Sequence, residues 1–197
     1  MKFLTGLIVG FLILPVGALL YALSGRLPAA TSDPPLPFEA VLAGAGLYGR
    51  IRREAPKRDV SNVATTELVA GADIYQKHCA VCHGLPNQPE PPIGAGEFPK
   101  PPQLFTADGR VTDDPAGVTY WKVKNGIRLT GMPAFEKSLS EAQMWQVTAL
   151  VARADKLPPE AMDALKPQPP MILVTAGAAN PAEGTAAKPG AKSAHQR

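Results

Sequence analysis

Both cysteines of this 197-residue chain lie in one short run, Cys79-Ala80-Val81-Cys82-His83-Gly84. The spacing C-x-x-C-H is the attachment signature of a c-type haem. The two thiols lie close enough along the chain to form thioethers with the two vinyl groups of one porphyrin. The histidine that follows is then held beneath the iron as an axial ligand. The run therefore predicts one covalently bound haem c, attached to Cys79 and Cys82 and ligated by His83.

Three other uses of the cysteine pair fit less well. A zinc site needs about four nitrogen or sulfur ligands, and recruiting His78 would crowd all of them into six residues. A thioredoxin-like dithiol is expected beside a βαβ unit, and the flanking sequence shows no period-two alternation. A structural disulfide leaves the adjacent histidine unexplained. Haem attachment is therefore favoured, and a disulfide or redox dithiol is the main alternative.

The charge distribution argues against a nucleic-acid partner. Residues 66–155 carry eight Lys/Arg and ten Asp/Glu, so this block has a net charge of −2. The +3 of the whole chain therefore comes from its flanks. A nucleic-acid-binding protein would instead have a basic patch on its folded surface.

The N-terminal segment predicts a membrane anchor. Residues 3–23 contain no charge, and about 20 apolar residues suffice to span a bilayer as a helix. A cleaved secretory signal has a shorter apolar core, of roughly 7–15 residues. We therefore expect residues 1–25 to form a transmembrane anchor, with the lipid bilayer contacted through 3–23. Cleavage after Ala22-Leu23-Ser24 stays open, and a buried core helix is disfavoured.

Residues 26–65 are predicted to be a linker. Residues 28–37 are rich in proline, which cannot continue a helix, and a short, glycine-weakened helix is expected after them. The basic residues that follow could touch anionic lipid headgroups: Arg50, Arg52, Arg53, Lys57 and Arg58. The favoured interpretation is a solvated linker that packs loosely on the next domain.

Three helices are predicted within residues 66–156. The first covers 66–80, where Leu68, Ala72, Tyr75 and Cys79 form one apolar stripe. The second follows Asp113-Asp114, which are candidate N-caps, and ends at Asn125-Gly126. The third opens with a capping box made by Ser140 and Gln143 and ends near Asp155.

Two segments lack helical patterning. The stretch 84–113 is a proline-rich loop of 30 residues, and a loop of this length inside a small domain is expected to wrap something. Residues 157–197 are dominated by Pro, Ala, Gly and Lys. We expect this Pro/Ala-rich tail to be disordered.

The block 66–156 resembles a class I cytochrome c. The resemblance rests on a helix ending in CAVCHG, the PKPPQL loop, YWKVKNGI before a Gly-Met-Pro-Ala-Phe run, and a last helix containing Trp145. It implies an all-α fold: a small cytochrome c-type haem domain of three main helices with a long Pro-rich loop, here preceded by one transmembrane helix.

The resemblance also implies the remaining parts of the haem site. Met132, in the G-M-P context, would be the second axial ligand of the haem iron, and His/Met ligation raises the reduction potential. The carbonyl of a proline within 86–102 would bond the far nitrogen of His83. Arg128 and Trp121 are candidates to contact the propionates, although solvation or core packing explains each equally well. The other methionines are weaker ligand candidates, and His78 is expected to point elsewhere.

These features predict an electron carrier rather than an enzyme. A haem with both axial positions filled has no open site for substrate, and nothing else in the chain suggests substrate chemistry. We expect single-electron transfer to redox partner proteins in or at the membrane, by a tethered carrier or by the haem subunit of a respiratory oxidoreductase complex. The resemblance implies a bacterial cytoplasmic membrane with the haem domain on its periplasmic side. The alternative is a five-coordinate haem that binds a gas or turns over peroxide, in which case Met132 is not a ligand.

Overall fold

The computed structural model describes residues 2–167, and within this range every regular element is an α-helix. The prediction of an all-α fold is confirmed, and the three predicted main helices correspond to α3, α6 and α7. In chain order the helices are α1 (Lys2–Leu23), α2 (Glu39–Glu54), α3 (Thr65–His78), α4 (Ala80–His83), α5 (Pro92–Ala95), α6 (Ala116–Asn125), α7 (Glu141–Ala152) and α8 (Pro159–Ala164).

The core of the domain lies where α3 crosses α7. Gly71 permits this close approach, because a Cβ there would overlap the backbone carbonyl of Gln146 on α7. Leu68 and Tyr75 of α3 and Leu150 of α7 are at most 1% exposed. Burial of one such leucine side chain contributes about 2 kcal/mol. This crossing therefore fixes the C-terminal end of α3, where Cys79 lies and α4, which contains Cys82, begins.

The ends of α6 and α7 follow local sequence signals. Ser140 and Gln143 form the predicted capping box, with the Gln143 N–H donating to Ser140 Oγ at 3.2 Å and the Ser140 N–H donating to Gln143 Oε1 at 2.8 Å. The helix that they open ends at Ala152 rather than near residue 155. Gly126 ends α6 as predicted, with φ at 67° and its N–H bonded to the Lys122 carbonyl.

The predicted aspartate caps of α6 are wrong. The helix begins at Ala116 after Pro115, and no side chain caps it. Asp113 and Asp114 stand before the N-cap position, whereas a capping oxygen must come from the N-cap residue itself to reach the first free N–H groups.

The prediction of a disordered tail is wrong for residues 157–167. Here α8 packs on α3, with Ala161 and Leu165 at most 1% exposed. Gln76 of α3 donates a side-chain hydrogen bond to the Lys166 carbonyl at 3.0 Å. These two apolar residues lie four apart and face α3, a pattern that is inconspicuous in so short and proline-rich a segment. Residues 168–197, to which the rest of this prediction applies, lie outside the described residues.

Residues 26–65 contain more structure than a loosely packed linker. The helix α2 has 16 residues, and its Ile51 is 2% exposed. Gly117 of α6 lies against the backbone of Pro56, where a Cβ would overlap the Pro56 carbonyl. The expectation of loose packing is therefore wrong for the C-terminal half of α2, because one apolar side chain and a close backbone approach attach it to the domain.

The N-terminal segment forms the helix α1, which carries exposed apolar side chains. Phe11 is 82% exposed and Leu14 is 78% exposed. Within residues 2–167, however, no helix combines the length and the hydropathy required of a bilayer span. The predicted transmembrane helix is therefore not confirmed.

Candidate haem site

A cavity of about 270 Å³ lies between the C-terminal end of α3, the helices α6 and α7, and the loops that follow α4 and α6. Its walls are mostly apolar and include prolines of the long loop, such as Pro101 and Pro102, together with Leu104, Val123 and Val147. The 84–113 loop thus closes one side of the cavity, which gives a proline-rich loop of this length something to wrap.

Cys79 and Cys82 both line this cavity as free, partly buried thiols. Cys79 caps the end of α3, and its N–H bonds the Tyr75 carbonyl at 2.8 Å. Burial and the neighbouring thiol raise the pKa of Cys79 to about 12. Burial and a hydrogen bond donated to Glu97 Oε1 at 3.0 Å raise the pKa of Cys82 to about 11. At neutral pH the two groups are therefore neutral thiols that face one apolar space.

His83 lines the same cavity with its ring held from the far side. Its Nδ1 lies 2.8 Å from the carbonyl oxygen of Pro102. Because a carbonyl only accepts, Nδ1 carries the proton and the lone pair remains on Nε2. Burial lowers the pKa of His83, which favours the neutral ring that a metal requires. The predicted bond from a loop proline is thus present, and the structure identifies the residue as Pro102.

The turn that carries Cys82 and His83 is held by Tyr75 and Gln103. The sequence alone assigns neither residue a role at the site. The buried hydroxyl of Tyr75 donates to the carbonyl oxygens of His83 at 3.1 Å and Gly84 at 2.9 Å. Gln103 Nε2 donates to the Cys82 carbonyl at 3.0 Å. A tyrosine on a core stripe signals such a role, because its buried hydroxyl needs a partner.

Met132 lines the cavity from a loop that is attached to the end of α6. Its carbonyl accepts a hydrogen bond from the Ile127 N–H at 3.1 Å, and its own N–H donates to Thr130 Oγ1 at 3.1 Å. Three residues on, the Phe135 N–H bonds the Val123 carbonyl at 3.0 Å. The structure therefore places Met132 on the wall of the cavity that the cysteines and His83 also line.

Two other methionines, Met144 and Met162, do not lie at the cavity. Met144 is 4% exposed and belongs to the hydrophobic core, and Met162 packs against that core from α8. Neither residue lines the cavity. Met171 lies outside the described residues.

The structure also places His78, Trp121 and Arg128, and for the last two solvation or core packing is an equal alternative to a propionate contact. The expectation that His78 points elsewhere is wrong, since it lines the cavity and its ring lies 6.1 Å from that of Phe135. Trp121 lies outside the cavity lining and donates from Nε1 to Glu54 of α2 at 2.9 Å. Arg128 does not line the cavity either, whereas Lys100 and Lys122 do.

The residues around the cavity fit a haem c. The cavity combines two neutral thiols on one turn, an imidazole with a free Nε2, a methionine thioether and apolar walls. Thiols supply the covalent links, and imidazole with thioether is an established axial pair for haem iron. Within residues 2–167 no group of His, Cys, Asp and Glu side chains has the arrangement of a separate metal site.

Comparison with known families agrees with this geometry. Residues 66–151, somewhat less than half of the chain, match a family model described as cytochrome C oxidase, cbb3-type, subunit III. No curated protein and no solved structure is significantly similar to the chain. The resemblance to a class I cytochrome c is confirmed by the match. Residues 66–151 therefore form a c-type cytochrome domain, which binds haem c covalently and serves haem-based electron transfer.

Proposed function

We propose that this haem is attached to Cys79 and Cys82, is ligated by His83 and Met132, and carries single electrons between redox partner proteins. The observation that carries the proposal is that all four side chains line one mostly apolar cavity. The bound haem supplies the one-electron iron couple. The chain's own residues attach it, orient its ligands and exclude water.

The two axial residues support a carrier for chemical reasons. His83 presents Nε2 with its ring orientation set by the Pro102 carbonyl, a contact that also raises the basicity of the ligand. Met132 offers a neutral, soft sulfur, which favours ferrous iron and a higher potential. With both positions filled, no coordination site is left for oxygen or peroxide. We therefore infer a carrier in preference to a five-coordinate haem enzyme.

The domain serves as a tethered carrier or as the haem subunit of a respiratory oxidoreductase complex. The family model that matches residues 66–151 is described as an oxidase subunit, which supports the second role. Purification in mild detergent followed by mass spectrometry of co-eluting chains separates the two roles. A subunit elutes with stoichiometric partners, and a carrier elutes alone.

Membrane attachment through residues 3–23, with the haem domain on the periplasmic side, is part of this proposal. Its support is the uncharged sequence and the exposed apolar surface of α1, such as Phe11 and Leu14. An alkaline carbonate wash of membranes from cells expressing the full chain tests it. The protein is expected to stay in the pellet, and its release into the wash would contradict attachment by lipid contact.

The Met132→Ala substitution tests whether Met132 is the second axial ligand. The full chain is matured in a host that attaches c-type haem. The haem is expected to stay covalently bound, while the weak absorption band typical of methionine on ferric haem disappears and the midpoint potential falls. Met162→Ala is the matched control, because Met162 packs against the core away from the cavity. A Met132→Ala protein that keeps the band refutes the assignment.

A further inference from the structure

The helix that precedes the cytochrome domain contributes to the wall of the haem cavity. Leu47 and Tyr48 of α2 both line the cavity, as does Lys122 of α6. The Lys122 ammonium lies 5.5 Å from the centre of the Tyr48 ring, within the range of a cation–π contact. These residues of α2 lie outside the matched segment 66–151.

A buried indole holds α2 in this place. Trp121 is 7% exposed, and its Nε1 donates to Glu54 Oε2 at 2.9 Å. Arg50 bonds the other carboxylate oxygen of Glu54 at 2.9 Å, and its guanidinium carbon lies 5.9 Å from the centre of the Trp121 ring. The Trp121 hydrogen bond, followed by that of Arg50, lowers the pKa of Glu54. The carboxylate is therefore charged at neutral pH, and charge-assisted bonds are stronger than neutral ones.

The attachment of α2 extends beyond this surface contact. Ile51 is 2% exposed, and the chain after the helix passes so close to Gly117 that a Cβ there would overlap the Pro56 carbonyl. Val60 then joins the hydrophobic core of the domain. By contrast, the N-terminal half of α2 is exposed, with Val41 at 67% and Leu42 at 71%. Only the half of α2 that reaches the cavity is docked.

We propose that α2 is a fixed cover of the haem site, held by the hydrogen bond between Trp121 and Glu54. Leu47 and Tyr48 form the covering surface, and Trp121 and Glu54 are positioning residues. The proposal rests on the haem occupying this cavity. Because the docked helix α2 moves with the domain, only residues 24–38 then connect α1 to the haem domain.

The cover affects the reduction potential of the haem. Burial and a low local dielectric are among the ways in which a protein sets this potential. Oxidised iron carries one more positive charge than reduced iron, and water stabilises that charge. Excluding water at Leu47 and Tyr48 therefore favours the reduced state. Displacing α2 is expected to lower the midpoint potential without removing an axial ligand.

Two variants of the full-length holoprotein weaken the cover from opposite sides. Trp121→Phe keeps a buried aromatic ring but removes the Nε1 donor, and Glu54→Ala removes the acceptor from an exposed position. Each is expected to raise amide hydrogen exchange in the C-terminal half of α2 by about tenfold, the lower end of the range for losing one hydrogen bond to a charged group, because Glu54 is exposed. Each is also expected to lower the midpoint potential. Glu39→Ala is the matched control, because Glu39 lies at the far end of α2, accepts from the Leu36 N–H and does not line the cavity.

Tyr48→Ala is a third variant, which tests the cover without changing the buried Trp121. Tyr48 is 48% exposed, so its loss spares the core while it opens the cover, and the potential should again fall. If the midpoint potential is unchanged in both Glu54→Ala and Tyr48→Ala and the haem redox signal is normal, then α2 does not act as a cover. The proposed function is not affected by that result. Absence of any covalent haem signal in the unsubstituted protein overturns the proposed function instead.

Discussion

The two sides of the haem cavity are built in different ways. The His83 side lies on one continuous turn that follows the buried helix α3, and side chains bond its backbone from within: Tyr75 holds the His83 and Gly84 carbonyls, and Gln103 holds the Cys82 carbonyl. The Met132 side lies on a loop attached to the end of α6 by backbone bonds, such as that between the Ile127 N–H and the Met132 carbonyl.

This difference suggests that one side of the cavity governs haem attachment and the other side governs the ligation of the iron. Cys79 and Cys82, the proposed attachment residues, stand on the side held by the buried Tyr75, whereas Met132 depends on the conformation of a short loop. We therefore expect changes on the first side to affect whether haem is present at all. Changes on the second side should affect which ligands the iron has while the haem stays attached.

The largest effect is expected from Cys82→Ala. The substitution removes one of the two thioether links, so the product should be unstable or free of haem. Peroxidase staining of the denatured protein after electrophoresis measures the covalently bound haem. Val81→Ala is the control, because Val81 lies within the same turn but is 50% exposed. Full staining of the Cys82→Ala protein would contradict attachment at this residue.

A smaller effect, confined to the Met132 side, is expected from Gly126→Ala. Gly126 has φ at 67°, and a Cβ there would lie 2.7 to 2.9 Å from backbone atoms of residues 132–134. With ψ at −175°, Gly126 adopts a backbone conformation that is essentially restricted to glycine, and holding alanine there costs about 1–3 kcal/mol. The methionine absorption band should weaken or vanish while covalent haem is retained.

Gly46→Ala is the matched control for Gly126→Ala. Gly46 lies within α2, and a Cβ there has no neighbour within 4 Å. Alanine is the better helix former by about 1 kcal/mol, so this variant should keep the band. A full band in Gly126→Ala would show that the Met132 loop does not depend on Gly126, and equal loss in Gly46→Ala would show that the effect is not specific to that loop.

The smallest effect is expected from Tyr75→Phe on the His83 side. Losing the buried hydroxyl removes the bonds to two carbonyl oxygens, with a cost of about 1–3 kcal/mol in the free energy of unfolding. Denaturant titration of the holoprotein measures this cost, and the methionine band should be unchanged. Tyr120→Phe is the control, because Tyr120 is also buried but stacks on the Trp145 ring and does not line the cavity. A band lost in Tyr75→Phe would contradict the separation of the two sides.

The same difference explains which parts of the site the sequence predicts. The C-x-x-C-H run is contiguous, so its chemistry is evident from spacing alone. Met132 is a candidate ligand only because of the resemblance to a class I cytochrome c. Nothing in the neighbouring sequence distinguishes a ligand methionine from one that fills the core. The Pro102 carbonyl and the Gln103 amide depend on how a proline-rich loop folds back on α4, which no periodic pattern encodes.

The fold shows a similar division. The capping box at Ser140 and the glycine at residue 126 locate helix ends, since these signals act over three or four residues. The docking of α2 was missed because it depends on the tertiary contact between Glu54 and Trp121, which lie far apart in the chain. The short helix α8 was missed because Ala161 and Leu165 become a buried stripe only against α3.

Carbon monoxide binding to the reduced full-length protein shows whether the chain fills both axial positions of the haem iron. Absorption spectra are compared with and without carbon monoxide under native conditions, for the unsubstituted protein and for Met132→Ala. The unsubstituted spectrum is expected to stay unchanged, and that of Met132→Ala is expected to shift. Carbon monoxide binding by the unsubstituted protein without denaturant would contradict this account and favour a five-coordinate haem.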